Sequence, residues 1–454
     1  MTGTKLPRAV FGLCGLLLTV ACGGSEARDA STDPGPFDSG PGPTPTVDSG
    51  PPPMDTGVGS PRLADTSVAD ATTDPDRDAS VPGPAPFFLQ HWSDTQIGSG
   101  SFAEPAFAYL LNVVKPSFGD MPVVLTGDLV EDGDDAESWR TYRDMVDAAG
   151  LVAPTFIEVP GNHDALPFGS LSDYDRYSVA GRSGLGRDGI TDFITPNRHV
   201  RIIGVNTAGA GNPVQDSVGY VSSSAITRLL SAVRADPRTP DVTLVLGHHS
   251  MDDPESLPLF GTDDNLRELL EETHAMAYLF GHRHIYASHW TDGILMTQAS
   301  TVGNPADNVI ANGESGFSLF AIDDQGPVVK SIGFHGTVDD LHVQWPIVMI
   351  TTPVNPELTV DVALDDTLYP PIENPFSGLP RNASNQPVRV GVFAPGPIET
   401  VILEIGDGPE IPMTRVGEHY EASFDTPDAD SCTVTVTATS GGETNADSYV
   451  VHLD

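Results

Sequence analysis

Short apolar runs alternate with amphipathic stretches between residues 87 and 343, and this alternation limits the possible folds more than any other feature of the chain. Mostly apolar runs of this length are typical of strands that are covered on both faces. Helical stretches between such strands favour a layered α/β domain. The predicted strands are Phe87–Trp92, Pro122–Thr126, Thr155–Val159, Val200–Val205, Val242–Gly247, Ala275–Phe280 and Ile294–Gln298.

Three amphipathic stretches between these strands are predicted to be helices that cover the sheets. They are Ala106–Val114, Glu137–Ala149 and Ser224–Val233. In the second stretch, apolar residues recur at steps of three and four positions, and Gly150 ends the pattern.

The last segment, residues 344–454, has a different pattern. Helical periodicity is lost, Pro and Gly recur, and several runs such as "CTVTVTAT" alternate with a period of two. This pattern predicts a second, all-β domain, an immunoglobulin-like β-sandwich. The sandwich could be a spacer, a lid on the first domain, or a surface that recognises a glycan or a protein.

The N-terminus has the pattern of an export signal. Lys5 and Arg8 precede a short apolar run that ends at Cys22, and the run is too short to span a membrane comfortably. The residues before Cys22 resemble a bacterial lipobox, which implies that residues 1–22 are a lipoprotein-type signal peptide and that Cys22 is lipidated. The alternative is an ordinary secretory signal. The protein is therefore expected outside the cytoplasm, anchored to the cell envelope or else secreted.

Residues 23–86 are rich in Pro, Gly, Ser, Thr and Asp, and they are predicted to form a disordered acidic linker. The whole chain carries a formal net charge of −41, with 63 acidic and 22 basic residues. Nucleic acids and anionic lipid surfaces are therefore unfavourable partners. The three cysteines, Cys14, Cys22 and Cys432, offer no disulfide framework to the mature protein.

Polar clusters stand at or just after the ends of five predicted strands, where α/β folds usually place their sites. Three of them follow at equal steps of 34 residues, at positions 94, 128 and 162, which suits consecutive β-α-β units. The five clusters are Asp94-Thr95-Gln96, Gly127-Asp128, Gly161-Asn162-His163-Asp164, Gly247-His248-His249 and Gly281-His282-Arg283-His284.

The donor types in these clusters suit divalent cations. Carboxylate and amide oxygens favour Mg²⁺ or Mn²⁺, and imidazoles favour Fe, Zn or Mn. Two cations close together can clamp the attacking and leaving oxygens of a displacement at phosphorus, and they can acidify a water to supply hydroxide at neutral pH.

The five clusters together resemble the motif set of the calcineurin-like metallophosphoesterases, a family with a four-layer α-β-β-α fold. The resemblance covers residues 87–343. It implies a phosphoric ester hydrolase with a binuclear metal centre of Mn, Fe or Zn and a metal-bound hydroxide as the nucleophile. A small phosphoester, either a diester or a monoester, would be the substrate.

The resemblance also implies a role for each residue. Asp128 would bridge the two metals. Asp94, Gln96 and His284 would hold one metal, with Gln96 standing where the family usually has histidine, and Asn162, His248 and His282 would hold the other. His163 would bind the phosphate and protonate the leaving oxygen, supported by Asp164.

Other interpretations of these residues remain open from the sequence. Asp94 could cap a helix, and Gly161–Asp164 could be a simple turn. Neighbouring side chains of a strand point to opposite faces, so His248 and His249 are not both expected to bind metal. The alternative function is a catalytically weak, metal-bound surface protein that binds a glycan or a protein through its β-sandwich.

Overall fold

The structure of the chain is a computed structural model, and it describes residues 84–209, 218–251, 262–303, 315–358 and 372–454. The predicted signal peptide with Cys22, and the predicted linker up to residue 83, lie outside the described residues. Within the described ranges, no helix has both the length and the apolar character needed to cross a membrane.

Strands and helices alternate through the first domain as predicted. The strands are β1 (Phe87–Trp92), β2 (Val123–Thr126), β3 (Phe156–Val159), β4 (Gly189–Ile194), β5 (His199–Gly204), β6 (Val242–Leu246), β7 (Ala275–Phe280), β8 (Ala287–Thr291), β9 (Ile294–Gln298), β10 (Gly316–Asp323) and β11 (Gly326–Gly333). The helices are α1 (Ala103–Tyr109), α2 (Ala136–Ala148), α3 (Asn162–Ala165), α4 (Ser172–Tyr177), α5 (Val179–Ser183), α6 (Ser223–Ala235) and α7 (Asp263–Glu272), and α1 leads into a π-helical segment (Leu110–Val114) and a 3₁₀ turn (Lys115–Phe118).

Helix α2 shows how local sequence sets an element and its packing. Asp135 caps its N-terminus, because the side chain accepts a hydrogen bond from the backbone N–H of Glu137. Trp139, Tyr142 and Val146 recur on one face and are buried. This face packs against the first sheet, as the periodicity predicted.

Two mixed sheets form the framework of the domain. The first has the order β11-β10-β1-β2-β3, and the second has the order β4-β5-β6-β7-β9-β8. Strands β1, β2 and β3 are parallel neighbours, and so are β5, β6, β7 and β9. The carboxyl ends of β1, β2 and β3 therefore share one edge, as the equal spacing of the motifs predicted.

The two sheets pack face to face, and helices cover their outer faces. Leu89 and Val124 of the first sheet meet Leu244 and Leu279 of the second in a buried apolar layer. Helices α1 and α2 cover the outer face of the first sheet, and α6 and α7 cover that of the second. The domain therefore has the predicted α-β-β-α layers. Strands β4, β8, β10 and β11 were not predicted, and β10 and β11 extend the first sheet because β10 pairs antiparallel with β1.

The C-terminal region forms two antiparallel sheets that enclose an apolar core, which is a β-sandwich. Their orders are β12-β15-β19-β18 and β17-β16-β20-β21, with a separate β13-β14 ribbon. The strands are β12 (Ile347–Thr352), β13 (Glu357–Leu358), β14 (Ile372–Glu373), β15 (Gln386–Phe393), β16 (Ile398–Ile405), β17 (Ile411–Pro412), β18 (Thr414–Val416), β19 (His419–Phe424), β20 (Ser431–Ser440) and β21 (Glu443–His452).

Strand β12 belongs to both hydrophobic cores. Val348 and Ile350 face the sandwich core, whereas Ile347 and Met349 pack into the core on the helical side of the first sheet. Phe393 also joins that core, and its ring centroid lies 4.8 Å from that of Phe118. The sandwich therefore packs directly against the α/β domain through apolar side chains.

A buried ion cluster reinforces this junction. Arg389 of the sandwich donates from Nη1 to Asp323 Oδ1 at 2.8 Å and to Asp324 Oδ2 at 3.0 Å. The other oxygen of Asp323 accepts from the hydroxyls of Thr351 and Thr352, each at 2.7 Å. Every oxygen of the buried Asp323 carboxylate is thus paired, which buried charge requires.

Candidate metal centre

The predicted site residues come together where strand ends of the two sheets meet. Asp94, Asp128 and Asn162 follow β1, β2 and β3 of the first sheet, and His248, His282 and His284 follow β6 and β7 of the second. Backbone hydrogen bonds join neighbouring loops, because Asp94 N donates to Gly127 O at 3.1 Å and Gly281 N donates to His248 O at 3.0 Å.

Four side chains form a tight group at one end of this centre. Asn162 Oδ1 lies 3.0 Å from His248 Nε2 and 2.9 Å from His282 Nδ1. His248 Nε2 also lies 3.1 Å from Asp128 Oδ2. These are the four residues expected to surround one metal, with Asp128 as the bridge.

The orientation of His248 suits a metal ligand. Its Nδ1 lies 2.7 Å from the carbonyl oxygen of Thr126, and since a carbonyl can only accept, Nδ1 carries a proton. Nε2, the nitrogen that would bind a metal, then faces Asp128 and Asn162. Although burial opposes a charged ring, the Asp128 carboxylate raises the pKa of His248 to about 9. The centre therefore attracts positive charge to this position.

At the other end of the centre, Asp94 is buried beside His284. Its Oδ1 lies 3.3 Å from His284 Nε2, and its Oδ2 accepts a hydrogen bond from the backbone N–H of His282 at 3.2 Å. Burial alone would raise the pKa of Asp94, but the His284 ring holds that pKa below its usual value. Gln96 is fully buried, and its backbone N–H donates to Asp128 O at 2.9 Å.

The backbone is strained at these same residues. Five of the nine non-glycine residues with positive φ in the described part of the chain are predicted ligands. L-residues rarely adopt this conformation, and such strain gathers at functional sites. The five are Asp94 (52°), Gln96 (40°), Asp128 (53°), His282 (83°) and His284 (59°).

Glycines in the motifs allow the loops to approach one another. A Cβ added to Gly161 would lie 2.2 Å from Asp128 Oδ1, and one added to Gly281 would lie 2.5 Å from Asp94 Oδ2. Real Cβ atoms do not approach oxygen so closely. Each glycine therefore keeps space open beside a carboxylate of the centre.

The donor set fits divalent cations. Within the described residues, both amide atoms of Gln96 are buried without a hydrogen-bond partner, and Asp94 Oδ1 is buried with His284 Nε2 at 3.3 Å as its polar neighbour. Unpaired buried polar atoms are rare in folded proteins and cost about 1–3 kcal/mol each. A cation would satisfy the oxygens, and it would also neutralise the buried carboxylates of Asp94 and Asp128.

Comparison with known protein families gave a match at this region. Residues 91–286 match the model of the calcineurin-like phosphoesterase family. Residues 91–286 form a calcineurin-like phosphoesterase domain. The match contains all the predicted ligands and confirms the family of the domain expected from the motifs.

Comparison with solved structures also gave matches, among them one protein of Plasmodium and one of Mycobacterium tuberculosis. The anchor of the inner membrane complex of Plasmodium is 16% identical with a TM-score of 0.40, and the alignment covers 57% of this chain and 89% of that protein. The phosphopantetheinyl hydrolase of Mycobacterium tuberculosis is 16% identical with a TM-score of 0.31, covering 47% of this chain and 89% of that protein. No curated protein matched the sequence.

His163 occupies a position in the phosphoesterase domain where it can exchange a proton. Its backbone N–H donates to Asp128 Oδ1 at 2.8 Å, and its ring Nδ1 lies 2.7 Å from the carbonyl oxygen of Glu131. Nδ1 therefore carries a proton, and Nε2 is the nitrogen that remains for a substrate. Although burial opposes the charged ring, Asp128 raises the pKa of His163.

Asp164 supports the loops of the phosphoesterase domain rather than the substrate pocket. Its Oδ1 accepts from the backbone N–H groups of Leu129 at 2.9 Å and Val130 at 3.1 Å, and its Oδ2 accepts from Gly161 N at 2.8 Å. Asp164 thus holds the loop after β2 against the loop after β3. The supporting role of Asp164 in catalysis, which the resemblance implied, stays a prediction.

His249 lies closer to the centre than expected. Strand β6 ends at Leu246, so the alternation of side chains along a strand does not extend to His248 and His249. The His249 ring centroid lies 4.6 Å from that of His282 and 4.9 Å from that of His248. The two neighbouring rings therefore lie on the same side, whereas the expectation that only one of them binds metal stays a prediction.

The sequence-based reasoning missed two further residues at the centre. Thr126 orients His248 through its carbonyl oxygen, and Glu131 orients His163 in the same way. These two contacts are made by backbone atoms, which no side-chain pattern reveals, and the Glu131 carboxylate also lies 3.8 Å from His163 Nδ1. Their positions next to the Gly127-Asp128 motif were the only available signal.

Proposed function

We propose that this protein hydrolyses a small phosphoester at a centre of two divalent cations. Support comes from one observation above all: oxygen and nitrogen lone pairs from loops of both sheets converge within hydrogen-bonding distance of one another. His248 Nε2 lies 3.0 Å from Asn162 Oδ1 and 3.1 Å from Asp128 Oδ2, and the carboxylate that draws a proton to this ring would equally draw a metal ion. A cation is the partner that such a group favours.

Each residue has a proposed task. Asp94, Gln96 and His284 would hold one cation, and Asn162, His248 and His282 the other, with Asp128 shared between them. When bound, the cations supply charge that stabilises the phosphoryl oxygens and acidifies water.

His163 would bind a phosphoryl oxygen and donate a proton from Nε2 to the leaving alcohol. Its hydrogen bond to Glu131 O fixes the ring so that Nε2 faces the substrate, and Asp128 favours the protonated ring. Asp164 would keep His163 and Asp128 in register by joining their loops. A positioned general acid typically contributes about 10²–10⁴-fold to the rate.

A phosphoester panel tests this function. The full chain is incubated with Mn²⁺ and either bis(p-nitrophenyl) phosphate or p-nitrophenyl phosphate. We expect turnover that falls by about 10²–10⁴-fold in His163→Ala and to background in Asp128→Ala. His452→Ala, which removes an exposed histidine of the sandwich, is the matched control and should retain full activity.

The contrary result is also defined. A correctly folded protein that binds metal but hydrolyses neither ester with any of Mn²⁺, Fe²⁺ or Zn²⁺ would refute the hydrolase proposal. It would favour the alternative of a surface protein that binds a glycan or a protein through its sandwich. The ratio of the two activities in the active case identifies the preferred ester class.

We also propose that the enzyme works outside the cytoplasm on a lipid anchor at Cys22. The support is the sequence pattern of basic residues, apolar run and Cys22 at the N-terminus. Metabolic labelling with a radioactive fatty acid should mark the wild-type chain and not Cys22→Ser. Labelling of both chains, or of neither, would contradict the anchor.

A further inference from the structure

We infer that a cleft at the end of the two sheets opposite the metal centre binds a small zwitterion with an apolar body, such as an α-amino acid with an aliphatic side chain. The cleft has a volume of about 330 Å³ and lies between the turn before β5, the start of β6 and the turn between β10 and β11. Sites for small molecules usually measure about 300–1,000 Å³. Strand β6 runs from Val242 in this cleft toward His248, so the two sites lie at opposite ends of one strand.

Arg198 supplies the group that would recognise a pair of oxygens. Its side chain lines the cleft and is only 7% exposed, and its Nη1 donates to the carbonyl oxygen of Ile322 at 3.1 Å. Nε is buried without a hydrogen-bond partner in the described ranges, and Nη2 lies 3.7 Å from Asp324 Oδ1, which is beyond hydrogen-bonding distance. Because a buried donor without an acceptor is unfavourable, the edge formed by Nε and Nη2 favours a ligand with oxygen acceptors.

Two other arginines of the chain show what this edge of a guanidinium binds. Arg187 donates from Nε and Nη2 to the two oxygens of Asp175 at 2.9 and 2.7 Å. Arg201 holds both oxygens of Asp192 through the same two nitrogens, at 2.8 and 3.2 Å. A carboxylate matches this edge because its two oxygens accept two parallel hydrogen bonds. The same edge of Arg198 therefore suits the carboxylate of a ligand.

The charges around the cleft favour a ligand that also carries a positive group. Three carboxylates line the cleft, those of Asp241, Asp323 and Asp324. Burial lowers the pKa of Arg198, and these three carboxylates act in the opposite direction, so they lie near enough to influence the guanidinium. They would repel a ligand that carries a carboxylate alone. An ammonium group on the same ligand removes this repulsion, because the zwitterion adds no net charge.

Asp241 is the carboxylate that we assign to the ligand ammonium. Asp323 and Asp324 are already paired with Arg389, whose Nη1 lies 2.8 Å from Asp323 Oδ1 and 3.0 Å from Asp324 Oδ2. Asp241 is exposed, and its Oδ2 accepts a hydrogen bond from the backbone N–H of His199 at 2.6 Å. Its other oxygen takes no part in that bond. An ammonium beside Asp241 would also stay partly hydrated, which limits the cost of binding a charged group.

Apolar side chains form the rest of the cleft. Val242 and Ile322 belong to the buried layer between the sheets, and Met276 and Phe376 are partly buried. The Phe376 ring packs on Trp290, with 5.8 Å between the ring centroids, so this wall is formed before a ligand binds. An aliphatic side chain would bury apolar surface here, whereas a charged side chain would not.

Calorimetric titration of the full chain tests the inference. The chain is first treated with a chelator and dialysed, because free amino acids can bind metal ions. L-Leucine is then titrated beside isocaproate, which lacks its ammonium, and isoamylamine, which lacks its carboxylate. We expect leucine to bind with a Kd of about 1 mM or below, and each analogue to bind at least about tenfold more weakly.

Three variants complete the test. Arg198→Lys keeps the positive charge but loses the paired donors, so leucine should bind at least about tenfold more weakly. Met276→Trp should weaken binding as well by filling the cleft, and it serves if Arg198→Lys fails to fold. Arg381→Lys, at an exposed ion pair of the sandwich, is the matched control and should bind leucine as the wild type does.

Three results would overturn the inference. They are no binding of leucine to the wild type, binding of either analogue as tightly as leucine, and unchanged binding in both cleft variants. Because the titration is made without metal, its outcome does not depend on whether the metal centre hydrolyses a phosphoester.

Discussion

Glu158 provides a sharp test of how the first sheet is tied to its helices. It lies in β3, just before the turn that carries Asn162, and its side chain is buried. Oε1 accepts a hydrogen bond from the Tyr142 hydroxyl, and Oε2 accepts from Ala180 N at 2.8 Å. Burial raises the pKa of Glu158 to about 7, and these hydrogen bonds offset that effect only in part. We therefore expect Glu158→Gln to change how stability depends on pH.

The direction and size of this pH dependence follow from the difference in proton binding between the folded and the unfolded chain. The raised pKa means that, between pH 4.5 and about 7, the folded chain binds this proton while the unfolded chain loses it. The contribution of Glu158 to the free energy of unfolding is therefore fully present below pH 4.5, and it is lost as the pH rises through about 7. At about 1.4 kcal/mol per pH unit, the loss is about 3 kcal/mol. The amide introduced by Glu158→Gln stays neutral throughout, so the variant should gain about 3 kcal/mol relative to wild type between pH 5 and pH 8.

Urea unfolding followed by tryptophan fluorescence at pH 5 and pH 8 measures this difference. Trp139 reports on the region, because its ring lies 6.2 Å from that of Tyr142. Glu271→Gln, at an exposed position on α7, is the matched control. Its free energy of unfolding should differ from that of the wild type by the same amount at pH 5 and at pH 8. If the difference in free energy of unfolding between the wild type and Glu158→Gln is the same at both pH values, the reasoning is refuted.

Three other changes have defined outcomes. Arg389→Met should lower the free energy of unfolding in urea by about 3–5 kcal/mol, because it leaves the Asp323 carboxylate buried without its positively charged partner. Arg381→Met, at an exposed ion pair, is the control and should cost under about 1 kcal/mol. Equal effects of the two changes would contradict this. Gly161→Ala should displace the Asp128 carboxylate and reduce turnover by about 10²-fold, while Gly396→Ala, where a Cβ has room, should not; unchanged kinetics in both would contradict it. Removal of metal by a chelator should lower the melting temperature by roughly 5–10 °C, because a metal concentration of about 100 times Kd adds about 2.7 kcal/mol to the free energy of unfolding. Calorimetry that shows no shift would contradict this.

Much of the α/β framework could be predicted because its strands are locally distinct. The bounds of Phe87–Trp92, Ala275–Phe280 and Ile294–Gln298 coincide with those in the structure. Each is a short, mostly apolar run bounded on at least one side by Pro, Gly or a polar residue, so the pattern marks its bounds. The sandwich strands were also recognisable, because an alternating run such as that of β20 has one buried face.

The missed parts depend on partners far away in the chain. Strand β10 pairs with β11, which follows it directly, and also with β1, more than 200 residues earlier, and this second pairing has no local signal in the sequence. The placement of His249 depends on where β6 ends, and a shift of one or two residues reverses the expected direction of a side chain. Strain at Asp94 and Asp128 likewise arises from the assembled loops and leaves no trace in the order of residues.

Because β12 contributes side chains to both hydrophobic cores, the stable unit extends beyond the α/β domain that carries the predicted ligands. A chain ending at Val343 would keep every predicted ligand but would lose Ile347, Met349 and Phe393 from its interior, and Phe118 would face water. The sandwich thus supplies part of the hydrophobic core of the α/β domain. A hinge at this junction would have to open a packed hydrophobic core, so rotation of the sandwich relative to the α/β domain is unfavourable.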